Sequence, residues 1–184
     1  EAMIMLGEKE FRPIKDSSWS AEVRLEVMDE QHVDMQVLSP TPLFFSYSAN
    51  GRAASQVAKI FNDLTLDIAD QGKGRLIPFC QVPLQETSAA IKELERCVKN
   101  GHRGVEIGNH VGDRDLDDEG IVEFLGYCAD NNIPVFVHPW DMPESPRLNR
   151  WMARWLTGMP AETHLSILSM ILGRVFDRLP NSLK

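Results

Sequence analysis

The run Val135-Phe136-Val137-His138 ends in a histidine, and Pro139 closes it, so an imidazole stands at the carboxyl end of what reads as a β-strand. Three apolar residues in succession, two of them β-branched, fit a strand buried on both faces. Pro139 cannot donate a ladder hydrogen bond, which ends the strand at or near His138. In α/β sheets and barrels this end of the strand is where ligands bind. A neutral imidazole there suits zinc, but a metal needs companion ligands. The sequence contains no HxH, HExxH or CxxC. Taken by itself, a packed structural histidine is the commoner explanation.

Other chemistry-bearing residues add little alone. His110 lies in the loop after the Val105–Ile107 run, at the same end as His138, and is a second candidate. His32 and His102 fall at the opposite end, and His164 opens a helix; all three read as structural. Asp113, Asp115 and Asp117 imitate a calcium loop, but Asp118 stands where glycine is required and Phe124 where the closing glutamate belongs. A solvated loop with a helix-capping aspartate is the better reading. Arg12, inside an apolar strand, is a plausible fork for a carboxylate. Arg147, Arg150 and Arg154 are three and four apart with Trp151 and Trp155 between them, as on a basic amphipathic helix. The aromatic stretch Leu43-Phe44-Phe45-Ser46-Tyr47 fits either packing or one wall of a ligand pocket.

The elements that must position these residues alternate. Met3–Leu6 and Phe11–Ile14 read as two short strands around a turn. Ser20 caps a helix over about 21–31 with Val23, Val27 and Met28 inward. A strand at 34–38 runs into Ser39-Pro40-Thr41-Pro42. A long helix at 51–71 carries Val57, Ile60, Phe61, Leu64 and Ile68 at three- and four-residue spacings, and Gly72 and Gly74 end it. A strand at 75–83, disturbed by Pro78, precedes a helix from Thr87 or Ser88 to Asn100 with Ile91, Leu94 and Val98 inward. A strand at 104–108 and a helix from Asp117 or Asp118 to about Asn131, burying Ile121, Phe124 and Leu125, lead to the strand of His138. Helices at 148–157 and 163–178, joined by Gly158-Met159-Pro160, follow. Four strand–helix units of about 30 residues predict an α/β fold with a parallel sheet and right-handed crossovers. A half-barrel and a small open sheet both satisfy the pattern.

The chain has 184 residues, is 43% apolar and 25% charged, and carries a net charge of −8. That acidity argues against nucleic acid or an anionic membrane surface as main partner. It leaves a small anion open, since local arginines decide that. No run approaches the roughly 20 apolar residues that span a bilayer. Cys80, Cys97 and Cys128 are widely spaced and read as reduced thiols of a cytoplasmic protein. The chain starts without methionine and ends at Arg178–Lys184 in what reads as a helix exit toward another strand, so a fragment is expected.

Several motifs point in one direction. They are Val137-His138-Pro139-Trp140-Asp141-Met142, Gly158-Met159-Pro160-Ala161-Glu162-Thr163, Gln81-Val82-Pro83-Leu84-Gln85, Glu106-Ile107-Gly108-Asn109-His110-Val111-Gly112 and Glu22–Asp29. With them the chain resembles, over its full length, the 2-amino-3-carboxymuconate 6-semialdehyde decarboxylases of the amidohydrolase superfamily. The resemblance implies part of a distorted (β/α)₈ barrel, about strands two to five, with one zinc ion in the complete enzyme. It implies that residues 1–184 form one partial domain, with a β-hairpin insertion at 1–14 and a helical segment at 147–178. His138 would be the zinc ligand at the end of the fifth strand, Arg12 would bind a substrate carboxylate, and Trp151 would lie near the substrate. No catalytic residue falls within the chain: the HxH pair would precede Glu1, while the second-shell histidine and the metal-ligand aspartate would follow Lys184. The implied reaction is non-oxidative decarboxylation of a small anionic dicarboxylate semialdehyde, in tryptophan (kynurenine) or nitrobenzoate-type catabolism, by a homodimer. The rival readings are another hydrolase, hydratase or aromatic-acid decarboxylase of the superfamily, or a fragment inactive by itself.

Overall fold

The computed structural model describes residues 1–142 and 144–184. Strands β1 (Ala2–Leu6) and β2 (Lys9–Ile14) pair antiparallel and turn at Gly7, whose φ of 62° a side chain would disfavour. Pro13 is accommodated because a two-stranded ribbon has free edges. Helix α1 (Ala21–Glu30) begins at Ser20, whose Oγ accepts the Val23 N–H at 3.3 Å. It buries Ala21, Leu25 and Met28, while Val23 and Val27, expected inward, are half-buried.

Strand β3 (Gln36–Leu38) leads through the aromatic loop to α2 (Gly51–Asp70). The large apolar stripe expected to face inward on α2 does so only in part: Ile60 and Leu64 are exposed, whereas Val57, Phe61 and Ile68 are half-buried, Phe61 stacked on Phe44 and Ile68 packed against a core cluster. The buried face of α2 is Ala54, Ala58, Asn62, Thr65 and Ala69, and Ile60 is 58% exposed. Close approach to the sheet explains the choice: the Asn62 side chain spans the backbone of Gln81, donating to its carbonyl and accepting from its N–H, each at 2.9 Å. Small residues around Asn62 permit that approach.

Strand β4 (Leu76–Gln81) keeps its pairing through Pro78, whose carbonyl accepts the Arg103 N–H at 2.8 Å. Helix α3 (Thr87–Asn100) buries Ala90, Glu93, Leu94 and Cys97, whereas Val98 is exposed. Glu93 is tolerated inside because Asn62 and Arg96 donate to it at 2.8 and 2.7 Å. Next come β5 (Gly104–Gly108), the short antiparallel pair β6 (His110–Val111) and β7 (Arg114–Asp115), and α4 (Glu119–Asp130), capped by Asp118.

Strand β8 (Val135–His138) ends as the proline predicts. Beyond it, a 3₁₀ turn at Pro146–Leu148 and a π-type turn at Arg154–Gly158 run directly into α5 (Met159–Leu172) and α6 (Val175–Arg178). The expected break at Gly158-Met159-Pro160 is absent. Pro160 sits in the first turn of α5, directly after the π-type turn, where its fixed φ suits the helix. The interruption falls instead at Gly173–Arg174, where Arg174 adopts a φ of 58°.

The main sheet has the order β3-β4-β5-β8, every pair parallel, so consecutive strands are neighbours and the crossovers carry helices. This is the α/β architecture expected, a curled half of a (β/α)₈ barrel. Cys80, Val105, Ile107, Val135 and Val137 pack outward with Leu94, Ile121, Phe124 and Leu125 of α3 and α4. By alternation Phe79, Gln81, Glu106, Phe136 and His138 share the other, inner face. Phe136 is 52% exposed, so β8 is not the doubly buried strand its composition suggests. It is an edge strand of this sheet, and its inner face lacks full cover among the described residues.

Candidate metal and substrate site

The register of β5 and β8 places His138 opposite Gly108, and Phe136 opposite Glu106, which in turn lies opposite Gln81 of β4. The inner wall therefore carries one layer of Gln81, Glu106 and Phe136, with His138 in the next layer toward the carboxyl ends. The His138 and Phe136 rings meet edge to face with centroids 6.2 Å apart.

The half-buried His138 ring has its Nδ1 2.7 Å from the Pro139 carbonyl oxygen. A carbonyl can only accept, so Nδ1 is the donor, and in the neutral ring Nε2 then keeps its lone pair. Ligating histidines are oriented in this way, with one ring nitrogen on a backbone carbonyl and the other on the metal. The donor chemistry of His138 thus fits a divalent metal as one ligand. Among the described residues no group of three or more His, Cys, Asp or Glu side chains is arranged to hold a metal ion.

The turn after His138 is heavily constrained. Asn109 Oδ1 accepts the Trp140 backbone N–H at 3.0 Å, and the Trp140 indole N–H donates to the His110 carbonyl at 2.9 Å. Trp140 stands edge-on to Tyr47, with centroids 5.2 Å apart, and nearly parallel to His110 at 5.8 Å. Tyr47 Oη accepts the Gly108 N–H at 3.0 Å, and burial pushes its hydroxyl pKa well up. The aromatic loop is therefore at least packing: Tyr47 and Phe45 wedge against the strand ends.

Two sequence motifs far apart in the chain meet here. Asn109 Nδ2 donates to Glu162 Oε2 at 3.0 Å, and His110 Nε2 lies 3.8 Å from the same oxygen. Gly158 packs against Met142, which a methyl at Gly158 would contact at 3.5 Å through sulfur. Asp141, with a φ of 48°, turns the chain between these contacts. His110, a weak candidate by position, thus packs on Trp140, two residues after His138, with its Nδ1 2.8 Å from the Gly112 carbonyl oxygen.

Glu106 is the group that sequence reasoning missed. It is 2% exposed, burial pushes its carboxyl pKa up to about 7 against a hydrogen bond from Ser39, and its Oε2 has no partner among the described residues. Gln81 opposite it is equally buried, with neither side-chain amide atom partnered among the described residues. The available signal was a single charged residue at an inner position of an otherwise apolar strand. Asn109 and Glu162 were also missed; each stood inside a quoted motif without a role.

Among the described residues, neither Arg12 nor Trp151 makes a hydrogen bond, ion pair or ring contact with this cluster. Arg12 is exposed on β2. Trp151 is 74% exposed with the Arg150 guanidinium 4.1 Å over its ring, and it adopts a φ of 54°. Among the described residues, Arg12, His138 and Trp151 share no hydrogen bond, ion pair or ring contact with one another. His102 is buried with Nδ1 3.1 Å from the Cys97 carbonyl, and burial lowers its pKa, as befits a structural residue.

A family model described as Amidohydrolase matches residues 14–184. A 2-amino-3-carboxymuconate-6-semialdehyde decarboxylase of Dictyostelium discoideum is 38% identical over 98% of this chain and 51% of its own length. A solved structure of Metarhizium anisopliae IDCase in apo form superposes with a TM-score of 0.78 at 25% identity, covering 96% of this chain and 48% of that one. A dihydroxybenzoic acid decarboxylase from Polaromonas, solved with bound manganese and 2-nitroresorcinol, superposes at 0.75 with 24% identity over 94% of this chain and 53% of its own. The chain spans about half the length of the curated relatives it matches.

Proposed function

The chain belongs to the amidohydrolase family, and from that premise we propose that it is part of a metal-dependent, non-oxidative decarboxylase. The observation that carries this reading is His138: it stands at the carboxyl end of the edge strand β8, on the sheet's inner face, with Nδ1 tied to the Pro139 carbonyl and Nε2 left as the coordinating atom. The names of the relatives support carboxylate release as the reaction, and the resemblance of the motifs supports zinc as the metal and 2-amino-3-carboxymuconate 6-semialdehyde as the substrate. The manganese in one structural neighbour makes the metal a point to measure.

In this reading His138 supplies one ligand, and the others come from parts of the barrel outside the described residues. Held in part by His138, a divalent metal would supply Lewis acidity for activating water and for offsetting developing negative charge. The residues of this chain bind and orient. The exposed Arg12 guanidinium forks a substrate carboxylate, a bidentate contact that lysine could not reproduce. Trp151 lends an aromatic face to a planar unsaturated acid. Trp140, Tyr47 and Phe45 wall the strand ends and keep water from the His138 turn. The active assembly is a homodimer.

The test is carbon dioxide release by the complete protein from 2-amino-3-carboxymuconate 6-semialdehyde and, in parallel, from 2,6-dihydroxybenzoate, each before and after chelation. Turnover of the semialdehyde that chelation abolishes supports the proposal. Turnover of the dihydroxybenzoate alone assigns an aromatic-acid decarboxylase instead, and release that survives chelation sinks the metal reading.

A further inference from the structure

We propose that Asn109 and Glu162 are positioning residues that set the His138 imidazole through one shared peptide group. This inference rests on the reading of His138 as a metal ligand. The Pro139–Trp140 peptide is engaged on both sides: its carbonyl accepts from His138 Nδ1 at 2.7 Å, and its N–H donates to Asn109 Oδ1 at 3.0 Å. A peptide group is planar, so fixing the N–H direction fixes the carbonyl direction as well. Asn109 therefore aims the acceptor that orients the histidine ring, without touching the ring.

Asn109 is itself held. Its Nδ2 donates to Glu162 Oε2 at 3.0 Å and to the Glu162 carbonyl at 3.3 Å, and Asn109 and Glu162 are both buried. The amide cannot flip, because a flipped Asn109 would point NH₂ at the Trp140 N–H and its oxygen at a carboxylate. The result is a directed series in which every donor meets an acceptor, from Asn109 to Glu162, from Trp140 to Asn109 and from His138 to Pro139. Such series polarise one another in a low-dielectric setting. Glu162 belongs to the Gly158–Thr163 motif and His138 to the Val137–Met142 motif. The spatial meeting of these motifs has this series as its chemical content.

The test is a charge swap in the complete protein, read with Co²⁺ alone as probe, by its affinity and its visible absorption band. Asn109→Asp keeps an acceptor for the Trp140 N–H but sets a carboxylate against Glu162. Outer-shell losses of this kind cost about tenfold to a hundredfold in metal affinity, and the absorption band shifts. Glu162→Gln keeps an acceptor for Asn109 and stays within about threefold of wild type. The double variant Asn109→Asp/Glu162→Gln restores the side-chain pair with donor and acceptor exchanged, leaving only the 3.3 Å bond to the residue-162 carbonyl unmade, and it recovers most of the affinity and the band together. Wild-type Co²⁺ affinity and band in Asn109→Asp would overturn the proposal. So would a loss in Asn109→Asp that the double variant fails to recover while its melting temperature returns to normal. His138→Ala is the control: if it binds Co²⁺ as tightly as wild type, the metal reading itself fails, and the outcome of the swap is then beside the point.

Discussion

Gly108 and Trp140 occupy adjoining space so tightly that a methyl group on Gly108 would lie 2.6 Å from the indole. The same methyl would be 2.9 Å from the Tyr47 ring. Gly108 is also the residue opposite His138 in the β5–β8 ladder, so the contact fixes the turn that follows the histidine. Gly108→Ala should cost about 1–3 kcal/mol, the usual penalty of overpacking a rigid core. Denaturant midpoints and indole fluorescence check this, and an unchanged midpoint with unchanged emission would count against the packing described.

Glu106 gives a pH dependence with a definite sign. Burial raises its folded pKa from 4.5 to about 7. Between those values the folded protein holds a proton that the unfolded chain releases, so stability falls as pH rises through the window. The full difference is on the order of 3 kcal/mol, present below the window and lost above it. Unfolding free energies at pH 5 and pH 8 should therefore differ less in Glu106→Gln than in wild type. Parallel pH slopes for the two proteins would remove Glu106 as the source.

Asn62 is fully buried and serves Gln81 N–H, Gln81 carbonyl and Glu93 at once. Asn62→Ala leaves buried partners unmade and should cost roughly 2 kcal/mol or more. A melting temperature within a degree of wild type would contradict that role.

The strand–helix order, the cap at Ser20, the cap at Asp118 as one of two adjacent aspartates, and the strand stop at Pro139 were legible from the sequence, because each follows from local chemistry. The facing of α2 was not. Periodicity identifies an apolar stripe at 57, 60, 61, 64 and 68, but it cannot tell which face has room for close approach, and the small face around Asn62 took the sheet. Phe136 and Glu106 misled for a related reason: composition does not distinguish an inner strand face from an outer one. The site was legible at His138 by motif, whereas Asn109 and Glu162 are 53 residues apart and meet only in three dimensions.

The facing of α2 has its own test. Ala58→Leu should destabilise by about 1–3 kcal/mol, since a buried small residue is overfilled. Leu64→Ala removes an exposed side chain and should cost less than about 1 kcal/mol. Chemical denaturation of both variants decides, and the opposite ranking would return the sheet-facing side to the large stripe.

The central claim is that His138 holds a metal that the reaction requires. The most direct measurement is metal content per chain, with carbon dioxide release, for the complete wild-type protein and for His138→Ala at matched folding. The account predicts about one divalent metal ion per wild-type chain, a near-complete loss of it in His138→Ala, and loss of turnover with it. Equal metal content and equal turnover in the two proteins would contradict it.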